Sequence, residues 1–296
     1  MIHAIRRFEP VRLVVAGEEA EREATERLGD GPYPVRFVHA ATDDSWVRDT
    51  GPVVQVDERS GERRALDFRF DAYGGKYPRS RDARLAATLA EDAGLMRSVQ
   101  PFVCEGGGFD IDDCGTLLTT QPWLTARSLP VGRLCEALGA ERAIVLPHGI
   151  AGDDTDGHVD DVAKLAPGRR VLVCREADPA DANHDALAEN WRIACEAAEA
   201  IGYEPIALPL PRPMFPPGSD GTAEPRLPAS YANALVVNGG VVVPRFGDPA
   251  DAIAQACYGD VFADRAIVDI DCRRLIVGLG AIHCLTMHCP APPSKS

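Results

Sequence analysis

One supersecondary pattern recurs along this 296-residue chain, and its recurrence limits the fold more than any single motif does. A unit that cannot cover its own apolar face must stack on its neighbours, so repeats at a near-constant period specify related units around an axis rather than unrelated domains. The pattern is clearest at 231–270. Asn238-Gly239 stands between the apolar runs 233–237 and 240–244, the strongest short-range signal for a hairpin. Asp248 then caps a predicted helix with Pro249 at its first position. Ile253 and Cys257 come next at i,i+4 as its apolar stripe, and 266–270 reads as a returning strand. The unit is therefore strand, hairpin turn, strand, helix, strand.

The same order is legible three more times. The first copy runs through 52–56, a turn at Gly61, 65–70, a helix at 82–93 ending at Gly94, and 99–103. A second has 109–111, the turn Asp113-Cys114-Gly115, 116–120, a helix at 130–138 stopped by Gly139, and 143–146. The third starts at His158, turns at Pro167-Gly168 into 170–174, and continues into a helix at 184–201. That helix carries Leu187, Trp191, Ala194, Cys195, Ala198 and Ile201 on one stripe before Gly202. What remains supplies most of a fifth unit: a strand at 11–15, a helix at 18–28, a strand at 35–39, and one hairpin strand expected at 275–277. One strand is then unaccounted for. Ile2, Ile5 and Phe8 before Pro10 read as the last turns of a helix without start signals, so the sequence suggests N-terminal truncation. The Pro- and Gly-rich stretch 209–228 reads as a surface loop, and 1–296 as a single domain.

If the units are related by rotation, equivalent ends face the axis, and the polar residues opening each unit should meet there. Asp49 lies in Trp46-Val47-Arg48-Asp49-Thr50-Gly51-Pro52, Glu105 in Cys104-Glu105-Gly106-Gly107-Gly108, His158 and Asp160 in the acidic run 152–161, and Cys284 in the closing segment behind His283. Each also has an ordinary structural reading: a buried thiol, a satisfied imidazole, a turn aspartate. Glu105–Gly108 lacks the downstream Lys-Ser/Thr of a phosphate cradle, and Asp153, Asp154 and Asp156 miss the ligand spacing of a calcium loop. Those three aspartates are expected to shape the turn that delivers His158 and Asp160. A zinc site on His158, Asp160, His283 and Cys284 has suitable ligand types but poor spacing.

As a set, these side chains fit the chemistry of a guanidinium. Two carboxylates can grip a planar cation by charge-assisted hydrogen bonds and hold its carbon over the Cys284 thiolate. His158 would protonate departing ammonia and then activate water against the covalent thiouronium, with Glu105 orienting the imidazole. Such a cycle needs no metal and no organic cofactor. Asp plus Glu outnumber Lys plus Arg by 45 to 31, giving a formal charge of -14. That balance disfavours nucleic acid and anionic membrane as partners and suits a small cationic substrate, although acidity also serves solubility. Nine cysteines without paired spacing are no disulfide framework, and neither a membrane-length apolar run nor a signal core is present, which points to the cytoplasm. Self-association into a homo-oligomer is compatible with this composition.

These residues also carry a family resemblance. Asp43 to Pro52, Glu105-Gly106-Gly107, Gly152 to Asp160, Ala229 to Asn233 with Asn238 to Pro244, and Ile282-His283-Cys284 resemble, in order, the motifs of the agmatine deiminase and bacterial peptidyl-arginine deiminase family. The resemblance implies a five-bladed, pseudo-symmetric α/β propeller. It also implies Cys284 as nucleophile, His158 paired with Glu105, and Asp49 and Asp160 on the guanidinium, with Trp46 and Arg48 beside the substrate. Agmatine would be converted to N-carbamoylputrescine and ammonia, on a route to putrescine. Three departures stand out. Gly278-Leu279-Gly280-Ala281 replaces a usual Gly-Gly-Gly-Asn, Met287-His288 replaces a Gln pair, and an aromatic-rich N-terminal segment is missing. Alternatives are a catalytically silent paralogue that binds a guanidine or serves in an assembly, a peptidyl-arginine deiminase, a branch typically exported, and a metalloenzyme on His158, Asp160 and His283.

Overall fold

In the third and fourth predicted units the second hairpin strand, 170–174 and 240–244, is the most continuously apolar run, as befits a strand bonded along both edges and covered on both faces. The computed structural model describes residues 1–57, 59–219 and 225–292. These divide into two compact units, Met1–Gly106 with Leu285–Ser296, and Gly107–Cys284.

The smaller unit holds two sheets. β1 (Val11–Val15) and β2 (Val35–His39) pair in parallel, connected through the helix Glu18–Leu28. β3 (Val53–Val56) and β4 (Arg63–Arg69) form an antiparallel hairpin, and β5 (Met96–Val103) returns parallel to β4 after the helix Leu85–Asp92. The N-terminal helix is a single turn, Ile2–Ile5.

The larger unit repeats the second arrangement three times. β6 (Phe109–Ile111), β7 (Thr116–Thr120) and β8 (Arg142–Leu146) form one sheet, β9 (Ala163–Ala166), β10 (Arg170–Arg175) and β11 (Glu204–Pro209) another, and β12 (Leu235–Val237), β13 (Gly240–Arg245) and β14 (Ala266–Asp271) the third. In each the hairpin is antiparallel and the third strand parallel, because the crossover helix carries the chain back to the end of the sheet from which the second strand began. The middle strands are the core: Leu117, Leu118, Val171, Leu172, Val173, Val241, Val242 and Val243 are fully buried. Buried hydroxyls on β7 are satisfied, Thr119 Oγ1 donating to the Gly108 carbonyl at 2.7 Å and Thr116 Oγ1 donating to Tyr203 Oη at 2.8 Å, the phenol's own proton going to Asp112.

Three expectations are corrected. Residues 275–277 form no strand: the chain turns there through the 3-10 segment Ile276–Gly278, and Leu279 closes it in the left-handed region at φ +69°. That conformation costs a leucine about 1–2 kcal/mol relative to glycine. The helix Ala250–Val261 buries Asp251, Ala254, Tyr258 and Val261, while Ile253 is 61% exposed. In the 209–228 stretch Met214 pairs with Leu227, which is buried, so part of it is packed structure. Residues 220–224 of that stretch lie outside the described residues. No helix among the described residues is long and apolar enough to cross a membrane.

Candidate active site

In the larger unit the site starts from a turn. Gly152, at φ +92°, has room for no side chain, because a Cβ would lie 2.0 Å from the Arg226 carbonyl oxygen. The next residue, Asp153, organises the rest of the turn. One of its carboxylate oxygens accepts from the Thr155 amide at 2.8 Å and the Thr155 hydroxyl at 2.5 Å, and the other from the amides of Gly157 at 2.6 Å and His158 at 3.2 Å. Asp156, itself left-handed at φ +68°, is held by Arg127 at 2.8 Å. Asp153 and Asp156 thus take the turn-shaping role expected of them. The turn delivers His158, 1% exposed with its ring edge-on to Trp123, and the 3-10 segment Val159–Asp161 carrying Asp160 and Asp161.

Asp160 meets the closing segment of the unit. Its Oδ2 lies 2.7 Å from His283 Nδ1 and 3.7 Å from Cys284 Sγ, and all three residues are buried. The sequence placed Asp160 and Cys284 together, and the structure brings them into contact. It adds one residue that the candidates lacked, Asn233, and gives another a different place: His283, considered in the sequence as a metal ligand, is the direct partner of Asp160. Asn233, fully buried, accepts at Oδ1 from the amides of His283 at 2.9 Å and Cys284 at 3.4 Å, and donates from Nδ2 to Asp161 Oδ1 and to Cys284 Sγ, each at 3.1 Å. The signal that could have found Asn233 was the polar run Ser230-Tyr231-Ala232-Asn233 against an apolar strand, which implies a buried amide in need of partners.

Four of the other thiols are held in the neutral form by burial. Burial pushes the Cys174 thiol up to about 12 and the Cys272 thiol up to about 11, and burial raises Cys257 and Cys135 as well. A thiol so raised is scarcely ionised at neutral pH and is a poor nucleophile.

The remaining candidates lie in the smaller unit. Trp46, Arg48 and Asp49 share the one-turn helix Val47–Thr50 and its cap. Tyr73 Oη donates to Asp49 Oδ2 at 2.9 Å, both residues being buried, and does so from a strained main chain: Ala72, Tyr73, Gly74 and Gly75 have φ of +60°, +56°, +81° and +86°. Arg48 faces the tail of the chain, with Nη1 3.8 Å from Met287 Sδ and Nη2 3.4 Å from His288 Nδ1. Met287 and His288 are therefore the residues of the tail against Arg48. Glu105 is fully buried, and at Gly106 a Cβ would sit 2.3 Å from the Arg48 carbonyl oxygen. Among the described residues, the His, Cys, Asp and Glu side chains that converge in a group of three are Asp112, Asp113 and Cys114. Asp112 there already accepts from Tyr203 Oη and from the Cys114 and Thr116 amides.

Comparison with known proteins agrees with the motifs. The agmatine deiminase of Pseudomonas putida KT2440 is 36% identical over 99% of this chain and 86% of its own length, and that of Pseudomonas aeruginosa LESB58 is 35% identical over 98% and 85%. Among solved structures, a C. jejuni agmatine deiminase with substrate bound matches with a TM-score of 0.84 at 26% identity, covering 96% of this chain and 83% of that one. An agmatine deiminase of Enterococcus faecalis matches with a TM-score of 0.85 at 29% identity, covering 95% and 83%. Five small sheets and these matches meet the expectation of a five-bladed α/β propeller built from repeated units. The family profile of the Porphyromonas-type peptidyl-arginine deiminases matches residues 1–290, and the chain belongs to that family, which includes the agmatine deiminases and hydrolyses the C–N bonds of amidines.

Proposed function

We propose that this protein is a thiol-dependent deiminase that hydrolyses agmatine to N-carbamoylputrescine and ammonia, in the cytoplasm, with 1–296 acting as one catalytic domain. The observation that carries the reading is Asp160 Oδ2 lying 3.7 Å from Cys284 Sγ inside a buried cluster. A carboxylate beside a thiol disfavours the thiolate, since two like charges would face each other. A bound guanidinium reverses the balance. It satisfies the carboxylate by charge-assisted hydrogen bonds and stabilises the thiolate below its electrophilic carbon. The substrate's own charge then helps to generate its nucleophile.

The cycle balances with these groups. The sulfur adds to the guanidinium carbon, the C–N bond breaks, and His158 gives the leaving nitrogen its proton, releasing ammonia. Water, deprotonated by His158, adds to the thiouronium carbon, the C–S bond breaks, and the ureido product leaves with the thiolate restored. Asp49 as the second carboxylate and Glu105 as the partner of the imidazole enter on their motifs. Trp46 and Arg48 enter as substrate-binding residues on the same ground. Agmatine is favoured because the two Pseudomonas relatives are agmatine deiminases and because the chain is strongly acidic.

An ammonia-release screen over agmatine, arginine and peptidyl-arginine, run on the wild-type chain and on Cys284→Ser, tests the reading. Turnover of agmatine that is lost in the variant is expected. Turnover that survives the substitution overturns the cysteine mechanism, and binding of agmatine in calorimetry without any turnover selects a silent paralogue.

A further inference from the structure

Trp123 is not one of the groups the reaction requires, yet it is fully buried and stands beside the imidazole on which both proposed proton transfers depend. Its ring centroid lies 6.4 Å from that of His158, with the ring planes 76° apart. Elsewhere the indole rests on main chain: a Cβ at Gly108 would lie 2.1 Å from Trp123 Cε2, so only glycine leaves room for the ring there. One segment holds both neighbours. Thr119 Oγ1 donates to the Gly108 carbonyl at 2.7 Å. Thr120 caps the helix Gln121–Ala126 by accepting from the Trp123 amide, and its hydroxyl donates to the carbonyl of Gly157, the residue before His158. A Cβ at Gly157 would meet Pro122 at 3.2 Å, and Arg127 donates to the Thr155 carbonyl at 3.3 Å and to Asp156 at 2.8 Å. The stretch 119–127 is thus tied to Gly108 at one end and to the turn that delivers His158 at the other, with the indole between them.

Resting on the reading of His158 as the acid and base, we propose that Trp123 is its positioning residue: the indole, wedged between Gly108 and the imidazole, fixes the ring in place and bars water from that side, so that His158 exchanges protons with the groups of the site alone. Two effects of the indole on the protonated ring compete. An aromatic face attracts a cation within about 6 Å of its centroid, whereas loss of hydration disfavours the cation. At 6.4 Å the attraction is past its reach, so desolvation prevails and the imidazole releases its proton more readily than it would in water. The helix Gln121–Ala126 brings no charge of its own. The titratable and charged groups around His158 in the larger unit are Asp160 and Asp161 beyond it in the chain, Asp153 and the Arg127–Asp156 pair in the turn, and His283 and Cys284 in the closing segment. Glu105, where it pairs with the ring as proposed, favours the charged form. An imidazole drawn both ways is poised near the working pH, where one group can serve first as acid and then as base.

The test separates a positioning role from a structural one by reading the imidazole itself. Protein carrying nitrogen-labelled histidine is titrated by NMR, with the His158 signal assigned by its loss in His158→Gln. The wild type is compared with Trp123→Leu, which is apolar but has no ring. Trp123→Phe keeps an aromatic ring and most of the volume, so it provides a folded variant should the leucine leave too large a void. The space vacated is bounded by the imidazole and the main chain of Gly108, polar enough to take up water. Water beside the ring should raise the His158 midpoint by about one pH unit in Trp123→Leu and by about half as much in Trp123→Phe. In the leucine variant kcat for agmatine should also fall about 10²-fold with KM changed about threefold or less, since a loosened imidazole matters to the transition state rather than to binding. A folded variant whose midpoint stays within about 0.2 pH unit of the wild type would overturn the proposal, whatever its activity. The titration needs no substrate, so agmatine turnover surviving in His158→Gln would refute the reading of His158 as acid and base and leave the midpoint to decide the role of Trp123 by itself.

Discussion

Replacement of Asp153 by alanine should disable the protein without touching any group that performs chemistry. The carboxylate accepts four hydrogen bonds within six residues, the shortest main-chain ones at 2.6 Å from Gly157 and 2.8 Å from Thr155. Gly157 and His158 are buried, so their amides find no water when the acceptor is removed. Hydrogen bonds to a charged acceptor contribute about 1.5–3 kcal/mol each, and an orphaned buried donor costs a similar amount. Counting the two short bonds fully and the two to His158 and the Thr155 hydroxyl weakly gives a loss of about 3–5 kcal/mol, near the upper limit for a single substitution. The same loss frees the turn that aims His158, and a displacement of about 1 Å at a catalytic imidazole lowers the rate about 10²-fold. Urea unfolding and steady-state ammonia release measure the two effects separately. Asp153→Asn, which keeps one acceptor oxygen, should fall between alanine and the wild type in both. If Asp153→Ala unfolds within about 1 kcal/mol of the wild type and retains kcat within about threefold, the carboxylate is not what holds this turn.

Two further outcomes rest on buried phenols. Tyr73→Phe removes the donor to Asp49, so agmatine turnover should fall about tenfold or more, the effect of one hydrogen bond to a charged group, and initial-rate kinetics would show whether KM or kcat carries the loss. Burial, together with the bond to Asp112, pushes Tyr203 up to about 12, so this phenol stays protonated in the folded chain while its unfolded counterpart ionises near 10. The stability it contributes is complete below about pH 10 and is lost as the pH climbs towards 12. Chemical-denaturation midpoints of wild type and Tyr203→Phe should therefore converge over that range, and parallel curves would refute the assignment.

The repeated unit was legible because its punctuation is physical. Asn238-Gly239 has few uses other than a hairpin, and Gly139 and Gly202 end their helices in the left-handed conformation that other residues avoid. Leu275-Ile276-Val277 misled because a short apolar run fits a strand and a buried turn equally well. Ile253 misled for another reason. The buried stripe of its helix runs one residue later, through Ala254 and Tyr258, and an alanine leaves little mark on a hydrophobic pattern. Within the site, Asp160 and Cys284 announced themselves as reactive types at equivalent unit starts. Asn233 and Tyr73 did not. An asparagine before a hairpin and a tyrosine before two glycines look like turn residues, and only their long-range partners reveal what they hold.

The repeated sheets also predict an order of events in folding. Each three-stranded sheet of the larger unit closes within its own segment, 109–146, 163–209 and 235–271, so its pairing costs only a modest loop entropy. The contacts around Cys284 are of another kind: Asn233 and Cys284 are 51 residues apart, Asp160 and His283 123, Asp160 and Cys284 124. Non-local contacts form after local ones have shortened the chain between them. In the larger unit the sheets are therefore expected to assemble first and the contacts of Cys284 to close last, so a chain caught partly folded would carry its secondary structure without the buried Asp160–His283–Cys284 cluster.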